Sequence, residues 1–100
     1  MTADLHLLEV ADFQPLLNQT LYIHFSPDIK MAATLIQVTE LNGYSMLNRK
    51  PFSFVLLTEN KMHFPQSTYI IEHPVKGELP VFLVPVGIED NRMKYEAVFS

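Results

Sequence analysis

The sequence predicts an all-β, mainly antiparallel domain, built as a small six-stranded barrel or rolled sheet with one short N-terminal helix. Three observations carry that expectation. Apolar residues recur with a period of two, as where Leu21, Ile23 and Phe25 alternate with Thr20, Tyr22 and His24, which is the pattern of a strand with one buried face. Two dense runs rich in Val, Ile, Tyr and Phe, TYIIEH (Thr68 to His73) and ELPVFLVPV (Glu78 to Val86), are joined by Pro74, Val75, Lys76 and Gly77 and read as a hairpin. No segment has the length of a crossover helix, so successive strands join antiparallel through turns.

Taken in order, Leu5, Leu7, Leu8 and Val10 form a first strand or an extended lead-in. Asp12 caps a helix of about two turns, with Pro15 in its first turn, Phe13, Leu16 and Leu17 as its apolar stripe and Asn18 as its stop. So short a helix does not stand alone in water and is expected to plug the sheet. The first clear strand begins at Thr20 and ends at a turn of Ser26, Pro27 and Asp28. Met31 to Leu41 is a second, long strand whose alternation slips between Leu35 and Ile36; a bulge there would turn both Leu35 and Val38 to the core and bend the strand. Leu41 to Pro51 is a polar connection holding the turn pair Asn42 and Gly43. Phe52 to Glu59 is the third strand, Asn60 to Gln66 a loop, and the hairpin of Thr68 to His73 and Glu78 to Val86 follows. Gly87 to Arg92 reads as an acidic turn and Met93 to Phe99 as the last strand. No internal repeat or linker divides the chain, so a single domain spanning 1–100 is expected.

Composition narrows the function classes. A net charge of -4, with basic residues scattered apart from Arg49 and Lys50, lacks the positive surface that displaces counterions from phosphates, so nucleic-acid binding is not expected. No run approaches the roughly eighteen apolar residues of a membrane helix, and the N-terminus has early acidic residues in place of a basic flank, so neither a membrane segment nor a signal peptide is expected and the location reads as cytoplasmic. Zero cysteines exclude disulfides, thiolate metal sites and a cysteine nucleophile.

Catalytic signatures are also missing. His6, His24, His63 and His73 fall in no metal-ligand spacing and read as ordinary surface or edge histidines. Glu72 and His73 are neighbours, so on a strand they point to opposite faces, and bonding of one of them to a nearby turn is favoured over acid/base work. Glu89 and Asp90 lack the further oxygen ligands of a calcium site, no serine sits in a G-x-S-x-G context, and the three glycines are too dispersed to cradle a phosphate. Catalytic, cofactor and metal sites are therefore all read as none.

The informative anomaly is the strand of Pro80, Val81, Phe82, Leu83, Val84 and Pro85. Its unbroken apolar run puts large side chains on both faces, where a sheet with one wet face should alternate. Phe13, Leu16 and Leu17 are the internal candidates to cover the second face, and a partner is the external one. Prolines cannot donate to a ladder, so Pro80 and Pro85 mark a strand poorly paired on one side, an edge either protected from aggregation or used to meet a partner.

PQSTYIIEHPVKGELPVFLVPVG followed by YEAVFS resembles the C-terminal half of an uncharacterised family of small bacterial β domains of about 100 residues, whose pattern runs TYxxEHxxxG, then FLVPVG, then YEAVF. The N-terminal half is similar more weakly, through Phe13, Leu16, Gln19, Leu35, Val38, Pro51 and Phe52. Departures are Ser67 where glycine is usual, Asn18 where glycine often precedes the glutamine, and Ser100 for a final asparagine. The resemblance implies a self-contained β domain and no activity, with a bacterial or phage-like setting as an accessory of a fibre or tail-like assembly.

The leading expectation is thus a non-enzymatic structural or protein-interaction module, with a protein partner or self-association through Pro80 to Pro85. One alternative is a small-ligand-binding barrel with Tyr69, Glu72, His73 and Tyr95 around a polar pocket and weak enzymatic activity. Another is an acidic inhibitor of a host protein, which would cluster Asp28, Glu59, Glu89 and Asp90 on one face.

Overall fold

The computed structural model describes residues 8–41 and 50–99. The expectations for Leu5, Leu7 and His6, and for the Asn42 and Gly43 turn, fall outside those residues. Six antiparallel strands, β1 (Thr20–Ser26), β2 (Ile29–Glu40), β3 (Phe52–Thr58), β4 (Ser67–His73), β5 (Gly77–Glu89) and β6 (Arg92–Phe99), close into a barrel of order β1-β2-β3-β6-β5-β4. The chain thus forms two three-stranded meanders. The connection 59–66 carries it across one end of the barrel from β3 to β4.

The two long strands curl by changing partner. β2 is registered with β1 over Ile29–Thr34 and with β3 over Ala33–Glu40. A register shift between Leu35 and Gln37 marks the expected bulge, with Leu35 fully buried and Val38 packed against the core. β5 pairs with β4 over Gly77–Leu83 and with β6 over Val84–Glu89. Pro80, opposite Ile70, and Pro85, opposite Tyr95, therefore each lie in a stretch registered with one neighbour only. On the other side a missing N–H breaks no ladder.

β5 extends beyond the expected boundary, and the acidic turn shrinks accordingly. A register shift at Pro85/Gly87, with Gly87 at φ 139, lets the strand continue to Glu89. Asp90 (φ 51) and Asn91 (φ 62) alone make the turn, the left-handed pair of a type I′ hairpin that matches strand twist. Asn18 also has positive φ (69), where its N–H donates to the Leu35 carbonyl at 2.7 Å. Asparagine tolerates this conformation nearly as glycine does, so the departure from glycine there preserves the backbone.

The barrel interior is filled. Ile23, Leu35, Leu56, Ile71, Leu79 and Leu83 have essentially no exposed surface, each such burial contributing about 1.5–3 kcal/mol. One end is plugged by Phe13, whose ring lies 4.6 Å from Phe54, 5.8 Å from Phe52 and 6.2 Å from Phe99. The expected N-terminal helix is two 3-10 turns, Val10–Asp12 and Gln14–Leu16, and its N-cap is Glu9; Asp12 instead accepts from the Glu9 N–H at 2.8 Å. Pro15 has no N–H to extend the ladder, and Leu17 turns extended. The other end is closed by connection 59–66, where Phe64 stacks on Phe25 at 4.2 Å and both approach Tyr95.

Candidate functional site

Strand β5 separates its apolar run by face. Val81 and Leu83 point into the core, while Phe82 points out and is 53% exposed. Val86 continues the exposed apolar surface toward the β5–β6 turn, Ile88 is exposed near that turn although it is registered with the inward Met93, and Val98 on β6 is 59% exposed. The expected internal cover is corrected: Phe13 plugs the barrel end, Leu16 packs beside it, and Leu17 is itself exposed. The strand buried on both faces is β3, in which every residue from Phe52 to Thr58 is buried. Below Val84 and Glu96 the registered pairing of β5 and β6 stops. Phe82 and Val98 lie on the two strands that part there.

The four polar residues Tyr69, Glu72, His73 and Tyr95 do not share a cavity. Tyr69 and Tyr95 face inward at the Phe64 end, where the Tyr69 hydroxyl donates to the Pro65 carbonyl at 2.6 Å and the Tyr95 hydroxyl accepts from the Phe64 N–H at 2.9 Å. Burial pushes both phenols above their usual range, and the Phe64 N–H partly offsets this for Tyr95. His73 faces inward at the opposite, plugged end, and Glu72 faces outward. Alternation along β4 explains the separation.

His73 is no surface histidine. It is 6% exposed, with its ring edge-on to Phe13 at 5.3 Å. Its Nδ1 accepts from the N–H groups of Val75 (3.1 Å) and Lys76 (3.0 Å), which leaves Nε2–H to donate to the Asp12 carbonyl at 2.7 Å. The expected bond to a neighbouring turn is present. The ring also ties that turn to the plug, a tertiary role that adjacency in sequence does not signal.

His24 is half-buried on the outer face of β1, and its Nε2 lies 2.5 Å from Oε2 of Glu72, which Lys30 Nζ approaches to 3.1 Å. The hydrogen bonds from His24 and then Lys30 hold the Glu72 carboxyl below the usual carboxylate range. Grooves of about 380 and 460 Å³ lie at either end of this cluster, the first including Leu16, Tyr22 and Pro74, the second including Ser26, Pro27 and Thr68. His63 is exposed.

Asp28, Glu59, Glu89 and Asp90 all sit at the Phe64 end, in three different turns. Lys61, Arg92 and Lys94 occupy the same end, and Lys94 pairs with Glu89 at 3.5 Å, so the acidic residues are interleaved with cations. Among the described residues, no group of three or more His, Cys, Asp or Glu is placed to hold a metal ion, and no helix is long and apolar enough to cross a membrane.

The fold and its surfaces define a small closed all-β barrel with a filled interior. Residues 8–99 match the family described as Domain of unknown function (DUF6916), and the chain belongs to that family. No curated protein and no solved structure matches the chain.

Proposed function

We propose that this domain is a non-enzymatic protein-interaction module that meets its partner, or a second copy, through the outer face of β5 and β6. One observation carries the reading: Phe82 (53% exposed) and Val98 (59% exposed) stand on the outer face where these two strands part, with the half-exposed Val86 further along β5. Monomeric domains seldom leave such side chains grouped on one face. An accessory role in a larger bacterial or phage-like assembly, of fibre or tail type, fits a domain with a packed interior and one apolar outer face. The small-ligand alternative would have to use an outer groove, of which the larger, about 460 Å³, has the size of small-molecule sites.

The test compares wild type with Phe82→Lys and Val98→Lys by light scattering, alone and after purification from the native host. Stoichiometric association lost in both variants is the expected result. A wild-type monomer that purifies without a stoichiometric partner, or association indifferent to both changes, removes the proposal.

A further inference from the structure

The two meanders of the barrel are stitched along two unequal seams. The β3–β6 seam has registered pairs from Phe52↔Phe99 to Leu57↔Lys94. The β1–β4 seam has only Tyr22↔Glu72, Ile23↔Ile71 and His24↔Ile70. Continuing its register would set Ser26 opposite Thr68 and Leu21 opposite His73, but there the ladder stops, and the two grooves of about 460 and 380 Å³ lie beside those strand ends. Few ladder bonds with open flanks make a seam the first place a closed sheet parts.

One carboxylate ties this seam. Glu72 on β4 binds His24 of β1 at 2.5 Å and Lys30 of β2 at 3.1 Å. Lys30 Nζ also lies 4.9 Å from the centre of the Tyr22 ring. On its other side Glu72 is registered against Glu78 of β5, a second carboxylate that offers it no opposite charge. The plug contributes only uncharged groups such as Gln19 to the neighbouring groove.

We propose that the β1–β4 seam is an acid-opened gate of the barrel, latched by Glu72 through His24 and Lys30, with the two meanders swinging apart about an intact β3–β6 seam. The direction follows from linkage. Glu72 is held below its ordinary value, first by the His24 hydrogen bond and then by Lys30. The latch is therefore complete above the unfolded carboxylate value of about 4.3 and is lost as pH falls through the lower folded value. Opening of the seam exposes the central Ile23 and Ile71 pair, both fully buried in the closed barrel.

Amide hydrogen exchange on the full chain, expressed as protection relative to intrinsic rates, tests this. At neutral pH, Glu72→Gln is expected to speed exchange at Tyr22 to His24 and Ile70 to Glu72 by roughly 1.5- to fivefold, the range for a partly exposed ion pair, while Phe54 to Leu56 stay protected. In the wild type, the same loss of seam protection is expected on acidification below the ordinary carboxylate range, and Glu72→Gln removes most of that pH dependence. Seam and β3–β6 amides losing protection together in the wild type would mean global unfolding and overturn the gate. Unchanged seam protection in both experiments overturns it equally, and the wild-type titration decides even if the variant fails to fold.

Discussion

The imidazole of His73 donates to the backbone carbonyl of Asp12 at 2.7 Å, joining the end of β4 to a segment 61 residues earlier in the chain. Because Nδ1 of the same ring accepts two turn N–H groups, the ring has one tautomer, with the proton on Nε2. Replacing His73 by Ala leaves the Asp12 carbonyl and two turn amides without their partner. The expected loss is about 2–4 kcal/mol in urea unfolding, since unpaired buried groups cost about 1–3 kcal/mol each and some regain water. Long-range nitrogen-15 NMR of the ring should show a protonated Nε2 and a bare Nδ1.

Phe13 is the plug itself. With no exposed surface and three phenylalanine rings around it, Phe13→Ala should cost about 3–5 kcal/mol and loosen the plugged end. Denaturant unfolding gives the energy. Increased exchange confined to β3 and the end of β6 would localise it, whereas a loss below about 1 kcal/mol would show that Phe13 is not seated.

The phenols of Tyr69 and Tyr95 are raised by burial, so their neutral forms are favoured in the fold. Their contribution is complete below the unfolded phenol value of about 10 and is lost as pH rises through the folded value. Ultraviolet titration should therefore show Tyr95 ionising only as the barrel unfolds. Tyr95→Phe should shift alkaline unfolding upward in pH.

The turn at Asp90 and Asn91 requires left-handed backbone at both positions. Asn91→Gly should be nearly neutral, and Asn91→Val should cost about 1–2 kcal/mol because a β-branched side chain clashes there. Thermal unfolding of the pair distinguishes a backbone effect from a side-chain contact.

Period-two alternation was enough to locate β1 and β6, and the slip after Leu35 located the bulge in β2, because each reports a local rule of pleat and burial. The end of β5 was not legible: Gly87 looks like a turn residue, and only its pairing with Lys94 shows that it belongs to a ladder. The Pro80 to Pro85 run announced apolar side chains on both faces and a strand poorly paired on one side; in the closed barrel that strand is no edge, being registered with β4 up to Leu83 and with β6 from Val84. It could not tell where Phe13 would go, since that depends on which barrel end the plug reaches. The expected pocket dissolved because alternation separates Glu72 from Tyr69 and His73, and strand length separates the latter two. Phe64 was missed because a lone aromatic in a polar loop carries no periodic signal.

The order of strands also sets how this chain can reach its fold. Pairings within each meander are local, whereas β1–β4 and β3–β6 join residues such as His24 and Ile70, or Phe54 and Ala97, that are distant in sequence. Loop-closure entropy must be met before such contacts stabilise anything, so the two halves can form early and the cylinder closes late. A destabilising change in a hairpin turn within a meander should then act mainly on the folding rate, and one in the seams mainly on the rate of unfolding.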